Sequence, residues 1–180
     1  MKDSYVPDMH DKIDSESTGL GTLLGKLPGF SGYIEKGRRR EADQILRDTI
    51  ASRLEESRLQ LGTIHQELSR DIVKAIDYAE PLGRADTRLM GLIGKIKDAP
   101  EGYAGFFDAV KIKEEELAQV YAFDEAMLAF SDSISAEVAA LEKAVIDDGD
   151  IDFAIRELDN TLREANVTYN SRQEVLLGVS

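Results

Sequence analysis

The sequence predicts an all-α protein, an elongated antiparallel helical bundle built from two long helices, one short and one medium. Three observations carry this. Residues 37–80 and 103–146 are two equal, proline-free stretches of 44 residues. Both repeat apolar side chains at helical spacing. Two of the four prolines, Pro81 and Pro100, fall between them. At a rise of 1.5 Å per residue, each stretch would make a rod of about 66 Å. Equal rods joined by a short middle segment can lie side by side and bury each other's apolar stripe.

Residues 1–18 hold Asp3, Asp8, Asp11, Asp14 and Glu16 among few apolar side chains and read as a disordered acidic tail. Residues 19–36 change character. Gly19, Gly21, Gly25, Gly29 and Gly32 work against an isolated helix, at about 1 kcal/mol each relative to alanine. Yet Leu20, Leu23, Leu24, Leu27, Phe30, Tyr33 and Ile34 are costly to leave in water. This Gly-rich apolar segment is expected to dock, either on the end of its own bundle, on a protein partner or on a membrane surface.

The bundle domain is expected over residues 37–177. The first long helix, 37–80, has a stripe of Leu46, Ile50, Leu54, Ser57, Leu61, Ile64, Leu68, Ile72, Ala75 and Ala79, a period of about 3.7 residues. Pro81 is expected to end it, because the residue before a proline is pushed out of the α region. A short helix fits 85–97, with Leu89, Met90, Leu92, Ile93 and Ile96 apolar, and Gly91 and Gly94 suggest close approach of another helix. Ala99-Pro100-Glu101-Gly102 is a turn signal.

The second long helix, 103–147, keeps a coiled-coil-like seven-residue register. One seam holds Val110, Leu117, Asp124, Ser131, Val138 and Val145. The other holds Lys113, Val120, Met127, Ile134 and Leu141. Asp147-Asp148-Gly149-Asp150 breaks it, and Asp150 is placed to cap a last helix over 150–177 with Ile151, Ile155, Leu158, Leu162, Ala165 and Tyr169 on one face. The expected core is Leu46, Ile50, Leu54, Leu61, Leu68, Ile72, Leu117, Val120, Met127, Ile134, Leu141, Leu158 and Leu162.

Composition narrows the function classes. The net charge of −13 repels nucleic-acid backbones. No cysteine is present, which excludes thiolate chemistry, disulfides and cysteine-type zinc sites. The polar, acidic start does not read as a secretory leader, and no stretch approaches the ~20 apolar residues of a membrane span. The expected address is cytoplasmic, with peripheral attachment to the membrane as a variant.

Several local patterns invite a sharper reading and fail on spacing. Gly21, Gly25 and Lys26 resemble a phosphate loop, but three residues rather than four separate the glycines, and Leu27 stands where Ser or Thr is needed. Aligning Gly149 with the glycine of a calcium loop puts Ala144, Ile146 and Ile155 at ligand positions. A di-iron bundle site needs Glu-x-x-His on two helices, and Gly62 stands three before His65. Asp124 is expected as a buried or half-buried seam carboxylate paired with an arginine such as Arg53, Arg58 or Arg70. Glu114, Glu115 and Glu116 read as a solvated helix face. Asn166-Val167-Thr168 matches a glycosylation sequon, which carries little weight without a secretory signal. No cofactor, metal or small-molecule substrate is implied.

The strongest functional clue is positional. Lys26, Lys36, Arg38, Arg39 and Arg40 cluster beside the apolar segment against only Glu35, so residues 26–40 carry +4. The run Leu27-Pro28-Gly29-Phe30-Ser31-Gly32-Tyr33, followed by Arg38-Arg39-Arg40-Glu41-Ala42-Asp43, resembles a segment of uncharacterised bacterial all-helical proteins. The two-rod pattern is loosely similar to membrane-stress scaffold proteins of the phage-shock type, whose N-terminal amphipathic helix is not matched here. Neither likeness implies an activity.

The expected function is that of a non-enzymatic helical scaffold or adaptor, self-associating or bound to a protein partner. Its contact residues are Leu20, Leu23, Leu24, Leu27, Phe30, Tyr33, Lys36, Arg38, Arg39 and Arg40. The alternative is a peripheral membrane protein that sets residues 19–34 and the basic cluster 36–40 on an anionic surface.

Overall fold

A computed structural model describes residues 39–98 and 114–176, with side chains over 44–98 and 122–171. Within these residues the protein is all-α, with four helices and no strand: α1 (Arg39–Leu68), α2 (Ile72–Lys97), α3 (Glu114–Ile146) and α4 (Ile151–Leu176). The acidic tail 1–18, the segment 19–36, the turn at 99–102 and the start of the second long stretch lie outside the described residues. So do the side chains of Leu117 and Val120.

The first long helix is not one rod. It ends at Leu68, and a new helix starts at Ile72. The chain tightens between them, with Arg70 N–H donating to the Glu67 carbonyl at 3.1 Å and Asp71 N–H to that of Leu68 at 3.2 Å. The Ser69 hydroxyl donates back to the His65 carbonyl at 2.7 Å. Asp71 then adopts an extended backbone, and its carboxylate accepts from the amides of Val73 and Lys74 at 2.9 and 3.2 Å. Ser and Asp compete with helical bonding through their side chains, so Ser69-Arg70-Asp71 can both stop one helix and cap the next.

Pro81 does not end a helix. It lies inside α2, half-buried, with helix on both sides. The expected short helix 85–97 is the second half of this longer one. What outweighs the proline is an apolar face that runs through it: Leu82, Ala85, Leu89, Leu92 and Ile96 are buried, and Tyr78 packs against them from the other side of Pro81. Helices of 30 and 26 residues thus replace the expected 37–80 and 85–97, while α3 and α4 fall within the expected 103–147 and 150–177.

α1 packs against α2 and α3, and α4 packs against α3 and α2. Of the expected core, Leu46, Ile50, Leu54, Leu61, Leu68, Met127, Ile134, Leu141, Leu158 and Leu162 are buried. Ile72 is the exception at 77 % exposed, because the break at 69–71 rotates α2 away from the stripe of α1. The seam of α3 buries Asp124, Ser131, Val138 and Val145 as spaced, and Ser131 satisfies its hydroxyl on the Leu128 carbonyl at 2.7 Å. All six apolar positions expected of α4 are buried.

One expectation about packing fails. Among the described residues, a Cβ on Gly91 or Gly94 would meet nothing within 4 Å, so no described helix approaches them closely. The arginines expected on Asp124 are bonded to other carboxylates: Arg53 to Asp132 at 2.6 Å, Arg58 to Asp86 at 2.8 Å, and Arg70 to Glu67. Asp124, 4 % exposed, is engaged elsewhere.

Polar contacts tie α2 to α4. Arg88 pairs with Asp159, and the Tyr169 hydroxyl donates to the Lys95 carbonyl at 2.7 Å. The Lys95 ammonium donates to the side-chain oxygens of Asn166 and Asn170, both at 3.0 Å. The Asn166 amide nitrogen donates to the Leu162 carbonyl at 2.8 Å. No helix among the described residues is long and apolar enough to cross a membrane.

Candidate interaction surface

Eight large apolar side chains are exposed among the described residues, and five of them lie in two short segments: Ile72, Val73 and Ile76 at the start of α2, and Ile146 and Phe153 flanking the turn between α3 and α4. Scattered apolar exposure is ordinary, whereas clustering marks a contact surface. Leu59, Met90 and Val167 are the scattered ones.

Local chemistry brings these segments together. α3 ends with the Gly149 amide donating back to the Ala144 carbonyl at 2.8 Å, and Asp148 between them takes the left-handed conformation at φ 50°. This closing turn aims Asp148 at the start of α2, where it pairs with Lys74. Asp150 caps α4 as expected, accepting from the Phe153 amide at 2.8 Å. The turn between α1 and α2 and the turn between α3 and α4 are therefore neighbours, linked through Lys74 and Asp148.

The electrostatics of this end are acidic. Asp71, Asp77, Asp147, Asp148, Asp150 and Asp152 are all exposed, against Lys74 and Arg70, the latter paired with Glu67. The hydrogen bond and charge of Lys74 hold the Asp148 carboxyl below its usual range, and Asp148 in turn raises Lys74. Burial, with Asp152, Asp77 and Asp150 nearby, pushes the Tyr78 hydroxyl up against the opposing charge of Lys74. Exposed apolar side chains interspersed with carboxylates suit a partner that is apolar and basic.

The contact residues expected from the sequence lie where no side chain is described. Leu20, Leu23, Leu24, Leu27, Phe30, Tyr33, Lys36 and Arg38 lie outside the described residues. Arg39 and Arg40 open α1, with their side chains also outside. Sequence reasoning missed this cluster because Ile72 continues the stripe of α1 when Ser69-Arg70-Asp71 is read as helix, and Val73 and Ile76, off that stripe, were given no role. The available signal was Asp71 itself, a good cap directly before a helical run.

A second polar feature lies between α3 and α4. Glu137 accepts from the Thr161 hydroxyl at 2.7 Å, while its other carboxylate oxygen is buried without a hydrogen bond. Burial pushes this carboxyl above 4.5, the Thr161 bond opposes that, and Glu157 and Glu164 add to it. A folded-state pKa above the unfolded one contributes stability that is complete at low pH and lost as pH rises through the folded value. Glu137→Gln keeps an acceptor for Thr161 and removes the buried charge. Its melting temperature is expected a few degrees above that of the wild type at pH 7. Melts repeated below pH 4.5 should show the gap closing. An equal gap at both pH values would mean the charge is not the cause.

Among the described residues, no group of three or more His, Asp or Glu side chains is arranged to hold a metal ion. His65 is exposed in the last turn of α1. Compared with known proteins, the chain matches no family model, no curated protein and no solved structure.

Proposed function

We propose that this protein is a helical scaffold that works through protein–protein contacts and self-associates, rather than by catalysis. Its helices form two antiparallel hairpins, α1–α2 and α3–α4, laid side by side as an elongated bundle. Supporting this, Lys74 meets Asp148, Arg88 meets Asp159 and Lys95 meets Asn166, at sequence offsets of 74, 71 and 71. Near-constant offset is the mark of helices running in the same direction, so α2 follows α4. In this arrangement α1 and α3 also run in the same direction, and the rod is about 45 Å long.

The observation that carries the functional reading is the acidic apolar end formed by Ile72, Val73, Ile76, Ile146 and Phe153. Its carboxylates repel an anionic lipid surface, so this end favours a protein partner over a membrane. Sedimentation velocity over a concentration series tests the reading. The wild-type chain should show species heavier than 19.9 kDa that grow with concentration. Ile76→Asp/Phe153→Asp alters two exposed positions and should return the protein to a monomer. Equal association of the variant and the wild type would remove this end as the contact surface.

A further inference from the structure

We infer that the acidic apolar end of one chain receives residues 19–40 of a second copy, so that chains assemble head to tail. This rests on the self-associating scaffold reading and names the partner that reading leaves open.

Charge is the first argument. Residues 69–77 and 147–152 carry six aspartates against Arg70 and Lys74. A patch-to-patch contact between two copies would press these carboxylates against each other, which is costly at an interface. Residues 19–40 carry five cations against one acid, set beside Leu20, Leu23, Leu24, Leu27 and Phe30. The two surfaces match in both apolar character and charge.

Length is the second argument, and for the basic cluster beside α1 it decides between the same copy and another. The acidic end lies where α1 stops at Leu68, while residues 19–38 join α1 at its start, Arg39. α1 is 30 residues long and spans about 44 Å. Ile76 lies only about one helical turn back from that far end. Fully extended, the chain from Phe30 to Arg39 reaches about 32 Å. Tyr33, Lys36 and Arg38–Arg40 therefore cannot contact the acidic end of their own chain, and only another chain can bring these cations to it. A second copy brings them there without strain. The contact joins two different surfaces, so it propagates into a ring or an open filament instead of stopping at a dimer.

The test uses the full chain in three forms: wild type, the end variant Ile76→Asp/Phe153→Asp, and the charge variant Arg38→Glu/Arg39→Glu/Arg40→Glu. Circular dichroism verifies that each is helical. In sedimentation velocity the wild type should form a ladder of species, and each variant alone should remain monomeric. An equimolar mixture of the two variants should form a pair of chains and nothing longer, because one supplies the segment and the other the receiving end. Raising the salt to about 0.5 M should weaken wild-type association roughly tenfold.

A charge variant that assembles like the wild type, while the end variant does not, would overturn the head-to-tail contact and leave the scaffold reading in place. A mixture that stays monomeric would also overturn it. A wild type that is monomeric at every concentration would overturn both. Transfer of the wild type to anionic vesicles through the three arginines, with no ladder in their absence, would make lipid the occupant of residues 19–40 and overturn it as well.

Discussion

Pro81→Ala is expected to stabilise this protein by about 1–2 kcal/mol, and to raise its melting temperature by a few degrees. The helix α2 runs unbroken from Ile72 to Lys97 with Pro81 inside it. Proline in a helix interior offers no N–H to the carbonyl four residues back, here that of Asp77, and its ring crowds that carbonyl. The penalty is about 3 kcal/mol for a proline placed in a regular helix interior. Asp77 is exposed, so water can serve its carbonyl, and the penalty at this site is smaller. Proline also stiffens the unfolded chain, which returns roughly 0.4–1 kcal/mol. Alanine restores the bond, is the best helix former and is smaller than the ring it replaces. Urea denaturation of the two proteins measures the difference. A destabilised variant would mean that a bend imposed by the proline is itself needed for the fit of Tyr78 and Leu82 to their neighbours.

The second large effect is a contrast between two positions that the sequence pattern treats as equivalent. Leu68→Ala should cost about 3 kcal/mol, since a buried leucine loses both transfer energy and the packing around the cavity left behind. Ile72→Ala, one helical repeat further along, should change stability by no more than about 0.5 kcal/mol, because Ile72 is 77 % exposed. Were residues 37–80 a single helix, both substitutions would be costly. Denaturant midpoints for the pair therefore locate the break at 69–71 in solution. A penalty of about 3 kcal/mol for Ile72→Ala would restore the continuous helix.

Much of the fold was legible where apolar spacing had no competitor. Ile151, Ile155, Leu158, Leu162, Ala165 and Tyr169 step by four and three, and every one is buried. The same holds for Met127, Ile134 and Leu141 on α3, and for α1 up to Leu68. The misreading came where a local rule was given more weight than a tertiary one. Tyr78, Leu82, Ala85, Leu89, Leu92 and Ile96 step by four and three straight across Pro81. Burying that face outweighs the penalty of one proline, a comparison of magnitudes that spacing alone does not make. The break at Ser69-Arg70-Asp71 is the reverse case. No glycine or proline marks it, and it depends on side-chain hydrogen bonds that are worth little until α2 packs against α1. The acidic apolar end was invisible for the same reason, since it exists only once two turns distant in sequence are brought side by side.

The hydrogen bonds of Asn166 have a consequence for chemistry at the protein surface. This asparagine satisfies the sequence rule for an N-linked glycan, with Thr168 two residues on. In the folded chain its amide nitrogen is committed to the Leu162 carbonyl, and its oxygen holds the Lys95 ammonium of α2. A transferase would have to free that nitrogen and evict the lysine before any sugar could be attached. The folded protein is thus closed to this modification. A glycan attached before folding would act as a wedge between α2 and α4.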